Sequence, residues 1–311
     1  IDKIHLDQKV EVELEDSVPQ IGAPEAWDAG YDGTGMTVAV LDSGIDANHP
    51  DLEGKVVAEE NFSSDETTDD LHGHGTHVAA TVAGSGDASD GLRQGVAPGA
   101  DLINAKVLNS AGSGAISDII EGMEWAAQEG ASILNMSLGG GVTDGTDPMS
   151  LAVNSISEEY NVLFVISAGN SGPGDESVTT PGAADDALTV AAFDKEGELA
   201  SFSSRGPRTG DYAITPHIAA PGVAIQAARA EGTSMGTPID DYYTAANGTS
   251  MAAPHVAGVA ALYAQKQQEA GDFNAELVKS ALVSTAGPND EYTVFEQGGG
   301  LVNAERALTQ D

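Results

Sequence analysis

Cysteine is absent from the 311-residue chain, which excludes disulfide staples, a thiolate nucleophile and Cys-ligated zinc. Basic residues are scarce: 12 Lys and Arg stand against 49 Asp and Glu, for a formal charge of -37. Phosphate backbones and anionic membrane surfaces are held through Lys and Arg, so neither nucleic acid nor membrane is expected as a partner. No apolar run has the length needed to cross a bilayer. An initiating Met and a basic-then-apolar leader are also missing, so a processed or trimmed form is expected and the compartment must be read from function.

What is present fits a globular α/β chain with many tight turns: 41% hydrophobic residues, 38 glycines and no internal repeat. The acidic excess reads first as a strongly solvated surface. Its sharper reading is adaptation to high salt or multivalent cations, which screen self-repulsion.

Apolar and charged residues alternate over residues 1–16, the period of a half-exposed strand, so an N-terminal arm is expected there. A short helix entry follows around 20–27 and a glycine turn over 30–35. Strands are then expected at 36–41, 102–107, 133–136, 162–167 and 187–192, and helices at 74–83, 116–128, 149–160, 250–268 and 274–284. Such alternation argues for a parallel sheet with helices on both faces, and the short unbroken apolar strands match burial on both sides. Residues 84–95 and 206–215 read as surface loops and 229–249 as a longer irregular insertion. No composition break marks a second domain, so the chain divides into residues 1–17, an arm, and 18–311, one catalytic domain.

Three segments carry candidate chemistry, each with an ordinary structural explanation beside it. The strand ending in Leu41 delivers Asp42 to its carboxyl end, where open α/β sheets bind ligands; alone, Asp42 is equally a turn residue. His74 sits between glycines at a helix start and suits a general base near neutral pH. His72, His74 and His77 together also suggest a metal site, although only His74 and His77 share a helical face and no HExxH pattern is present. Ser250 opens a long apolar helix, where backbone N–H groups favour negative charge, a place equally suited to an N-cap.

The order Asp, His, Ser along the chain is the order of the subtilisin-like hydrolases. VAVLDSGID, HGHGTHVA and NGTSMAAPHVAG resemble the three signatures of the subtilase family, and residues from about 18 to 308 resemble its catalytic domain, with most likeness to secreted actinobacterial members. The resemblance implies a three-layer α/β/α subtilisin-like fold with a mainly parallel central sheet. It also implies a secreted serine endopeptidase with Asp42, His74 and Ser250 as triad and Asn170, in Ala168-Gly169-Asn170, as oxyanion donor. By the same likeness Gly112, Ser113 and Gly114, and Ser137, Leu138 and Gly139, pair with an extended peptide, while Ala168, Gly169 and Thr179 line the P1 pocket. An apolar or aromatic P1 preference follows, which Asp175 and Glu176 lie close enough in sequence to overturn.

Implied partners are polypeptide substrates and the enzyme's own propeptide or a protein inhibitor, acting on a monomer. No catalytic cofactor is implied, but structural calcium is. Asp51 matches a family calcium ligand, whereas residues 84–95 lack the usual calcium loop, and no ligand set can be named. His217 stands where the family pattern calls for Asp, and residues 1–16 resemble the tail of a propeptide. Two other classes stay open: an inactive scaffold of the same fold, which a serine-directed probe would leave unlabelled, and a metallohydrolase, which chelators would stop at the chemical step. A dinucleotide enzyme is excluded because Gly33-Thr34-Gly35 precedes its strand instead of following it.

Overall fold

The computed structural model describes residues 14–309 apart from 272. Most of the N-terminal arm, residues 1–13, lies outside the described residues. Its last part is not a strand: Leu14–Gln20 is helix α1, with Ser17 and Val18 buried. Burial of these side chains against the body of the protein overrides the local alternation.

The remaining elements follow in chain order: α2 (Ala23–Asp28), β1 (Thr37–Asp42), β2 (Val56–Asn61), α3 (His74–Ala83), β3 (Asp101–Lys106), α4 (Ile116–Gln128), β4 (Ile133–Met136), α5 (Pro148–Tyr160) and β5 (Leu163–Ser167). After these come β6 (Leu188–Phe193), β7 (Ile218–Pro221), β8 (Ile225–Ala228), β9 (Thr237–Pro238), β10 (Tyr243–Ala246), α6 (Thr249–Ala270), α7 (Ala275–Thr285), α8 (Val294–Gln297) and α9 (Ala304–Thr309). Strands β1 to β7 form one parallel seven-stranded sheet in the order β2-β3-β1-β4-β5-β6-β7.

The pleat sorts side chains between two cores. Val38 and Val40 of β1 face one side, packing with α3 and the all-round apolar helix α6, while Ala39 and Leu41 face the other with α4 and α5. The result is the expected α/β/α arrangement. Burying one large side chain such as Phe164, fully enclosed in the second core, stabilises by roughly 1.5–3 kcal/mol.

Strand order reverses at β1, the point where such sheets open a crevice at their carboxyl ends. Asp42 is the last residue of β1, Ser137 follows β4, Ala168 follows β5, and α3 and α6 begin there.

Residues 229–249 are more regular than expected. β9 and β10 lie in them, and β10 pairs antiparallel with both β8 and β9 in a second sheet of three strands. The strands are short and rich in Ala and Thr, so hydrophobic alternation is too weak to show. β2 was likewise outside the sequence reading: it is an edge strand, partly exposed and carrying Glu59 and Glu60.

Candidate active site

Helix α3 presents His74 at its first turn, and a cleft of about 650 Å³ opens there between two walls. His72, His74, Leu108 and residues 111–114 form one wall. Residues 138–141, Met149, Gly169, Thr179 and Thr180 form the other, with Ser250 and Asn170 between them.

His74 reaches Asp42 because Gly75 lets the helix approach β1; a Cβ there would lie 2.1 Å from the Gly44 carbonyl oxygen. The His74 Nδ1 to Asp42 Oδ1 distance is 2.7 Å, and Asp42 is fully buried. Asp42 Oδ1 also accepts from the Ser43 N–H at 2.7 Å. Burial by itself lowers the His74 pKa; the charge and hydrogen bond of Asp42, with help from Asp70, outweigh it, so the pKa is raised above the ordinary histidine value. Since Nδ1 is held by a carboxylate, Nε2 is the nitrogen left for proton transfer.

Asp70 was not anticipated. Gly73 has no side chain with which to cap α3, and the buried Asp70 carboxylate does so instead, accepting from the backbone N–H groups of His72, Gly73 and Thr76. It also accepts from the Ser43 hydroxyl at 2.9 Å, tying the β1 end to the helix that carries His74. A carboxylate four residues ahead of a glycine-flanked helix start was the available signal.

Ser250 lies on the first turn of α6. Its Oγ–H donates to the Ser137 carbonyl at 3.0 Å, and the Ser137 Oγ–H donates to the Ser250 carbonyl at 2.8 Å. Asn135 Nδ2 donates to Ser137 Oγ at 3.0 Å.

Asn170 is oriented by Thr249. Its Oδ1 accepts from the Thr249 N–H at 2.9 Å and from the Thr249 Oγ–H at 3.0 Å, while Thr249 Oγ1 accepts from the Gly169 N–H. With the oxygen so occupied, the Nδ2 donor is left for the cleft. Thr249, unnoticed inside the NGTSMA run, fixes that choice.

The two segments expected to pair with substrate both line the cleft. Residues 112–114 are exposed on one rim, and Gly139 is exposed on the other. Thr179 backs the second wall: a Cβ at Gly169 would meet its Oγ1 at 2.7 Å, and Gly169 has φ 104°. Ala168 does not line the cleft. It is fully buried, and its carbonyl accepts from the Thr179 N–H at 3.1 Å, so it supports the wall from behind. Asp175 and Glu176 are exposed and stand outside the lining.

The second wall is braced by Asp147, which was also missed. Its carboxylate accepts from the hydroxyls of Thr143, Ser150 and Thr180 and from the N–H groups of Met149 and Ser150. These bonds hold its pKa below the carboxylate range although partial burial opposes them.

The imidazoles do not converge on a metal. His77 is buried, with Nε2 on the Ile225 carbonyl at 2.9 Å, and among the described residues no group of three or more His, Cys, Asp or Glu is placed to hold an ion. The calcium expectation at Asp51 meets the same difficulty. Its Oδ1 accepts from the Ala88 N–H at 2.9 Å and its Oδ2 from the Tyr243 hydroxyl at 2.8 Å, and the Arg93 guanidinium lies 4.7 Å from the Tyr243 ring centroid. Both oxygens of this carboxylate are taken by protein donors, a poor arrangement for calcium.

A parallel sheet with Ser250, a His74–Asp42 pair and an oriented amide at its carboxyl edge defines a serine hydrolase. The subtilase family profile matches residues 33–300. Among similar proteins, serine protease AprX of Bacillus subtilis (strain 168) is 36% identical over 99% of this chain and 74% of its own. Subtilisin DY of Bacillus licheniformis and subtilisin Savinase of Lederbergia lenta are each 39% identical over 93% of this chain and 97% of theirs. The chain belongs to the subtilase family and is a serine-type endopeptidase acting on polypeptides.

Proposed function

We propose that Ser250 is the nucleophile, His74 its general base and Asp42 the group that orients and stabilises the imidazole. The observation that carries this reading is the 2.7 Å contact between His74 Nδ1 and the buried Asp42, facing a cleft that Ser250 and Asn170 share. Ser250 Oγ turns from the Ser137 carbonyl toward His74 Nε2, loses its proton to it and attacks the scissile carbonyl; His74 returns the proton to the leaving amine, and water repeats the cycle on the acyl enzyme. The Asn170 Nδ2 and the Ser250 N–H receive the oxyanion. Loss of such a side-chain donor costs about 10²–10³ in kcat, a range known from subtilisin itself. Protein groups supply nucleophile, base and donors, so the scheme calls on no catalytic cofactor.

Substrate lies extended between residues 112–114 and 137–139, held by main-chain hydrogen bonds. The second wall, made of glycines, Met149, Thr179 and Thr180, favours an apolar or aromatic P1 side chain. We further place the enzyme outside the cell as a monomer built on residues 18–311, restrained before release by its own propeptide or afterwards by a protein inhibitor. Among the described residues no helix is long and apolar enough to cross a membrane.

The test is hydrolysis of a peptide library with and without chelator. Cleavage that survives chelation and vanishes in Ser250→Ala is expected; cleavage retained in the variant rejects the assignment.

A further inference from the structure

A second specificity determinant sits on the first wall. Of the side chains lining the cleft, His72 and His74 alone are titratable, and none of the described lining residues carries a carboxylate, although the whole chain has 49 Asp and Glu. The His72 ring stands 6.3 Å from that of His74, at 69° to it. Its Nδ1 is buried without a hydrogen-bond partner among the described residues. The other ring nitrogen, Nε2, approaches Gly112, where a Cβ would lie 3.1 Å away.

Burying an N–H with no acceptor forfeits its hydration, so the proton of neutral His72 belongs on Nε2, the nitrogen at the cleft. His72 therefore offers a donor there and no acceptor. The carboxylate of Asp70, two residues before it, is occupied by backbone N–H groups, including that of His72. Asp42 is engaged by His74.

An extended peptide turns successive side chains to opposite sides. With P1 on the wall of Gly169 and Thr179, the preceding residue, P2, faces His72 and Leu108. Leu108 provides apolar contact for methylenes and His72 a hydrogen bond for whatever ends them.

We propose that His72 makes this endopeptidase select substrates with an acidic side chain at P2, Glu above Gln and both above Lys. The inference rests on the peptide lying along the cleft as proposed above. The protein's overall negative charge opposes acidic peptides at long range, but equally in wild type and variant, so it cancels when the two are compared.

The experiment uses peptides identical except for Glu, Gln or Lys at P2, cleaved by wild type, His72→Ala and His72→Asp at fixed salt. The Glu-to-Lys ratio of kcat/KM is expected to fall roughly tenfold in His72→Ala, the size of one charge-assisted hydrogen bond partly screened by water, and to fall further in His72→Asp. A general loss of activity does not move this ratio. A ratio the same in all three proteins overturns the inference. Failure to cleave any peptide, with no organophosphate label on Ser250, would instead count against the serine-endopeptidase reading beneath it.

Discussion

The Ser137 hydroxyl supplies to the Ser250 carbonyl, at 2.8 Å, the hydrogen bond that helix α6 cannot. In an α-helix that carbonyl would accept from the N–H four residues on, but residue 254 is Pro, which has none and whose ring pushes the carbonyl aside. The strand end after β4 thus completes the helix turn that bears Ser250. Ser137→Ala leaves the Ser250 carbonyl and the Asn135 amide short of partners, and a loss of about 1–3 kcal/mol is expected. Urea unfolding measures that loss, and kcat should fall with it because Ser250 is less firmly held.

His74 must be neutral to accept a proton, and its pKa is raised by Asp42 despite burial. The acid limb of kcat/KM is therefore expected above pH 6.5. In Asp42→Asn the raising charge is gone, so the limb moves to lower pH while kcat drops by about 10⁴, as in other serine proteases. A limb that stays in place would show that Asp42 does not set the imidazole.

Three other histidines are locked neutral. Burial lowers His77 and His255 to about 4 and His217, also beside Lys279 and Arg208, to about 3. His217 Nδ1 accepts from the Thr189 N–H, and His255 Nδ1 bonds the Met251 carbonyl while its Nε2 accepts from the Ser17 hydroxyl. The unfolded chain takes up protons near pH 6.5 that the native state refuses until about 4 or below, so stability is lost as pH falls through that window. Each group contributes up to about 1.4 kcal/mol per pH unit. In molar salt, which screens the carboxylates, urea midpoints should fall from pH 7 to pH 5, less steeply in His255→Gln.

Tyr243 and Ala88 satisfy Asp51 as a cation would elsewhere. Tyr243→Phe removes the hydroxyl that donates to buried Asp51 Oδ2, and a loss of about 1–3 kcal/mol is expected that added calcium does not restore. Recovery of the thermal midpoint with calcium would show that the pocket accepts the ion.

The central strands were legible because each is a short apolar run buried on both faces, as at 133–136. The residues proposed as nucleophile, base and acid were picked out by flanking motifs in a fixed order. What escaped depends on partners distant in sequence. Asp70 matters through Ser43 and the uncapped start of α3, Thr249 through Asn170, and Ser137 through the proline at 254. Ala168 was read as lining because its neighbours do; only the turn of the chain after β5 hides it. The arm was misread at its end because alternation cannot register the pocket that receives Ser17 and Val18.

The most direct test of the account is the site of organophosphate modification. Mass spectrometry of the labelled protein should place one adduct on Ser250, formed far more slowly in His74→Ala and absent from Ser250→Ala. A protein that cleaves peptides while Ser250 stays unlabelled, or that labels as fast without His74, would contradict it.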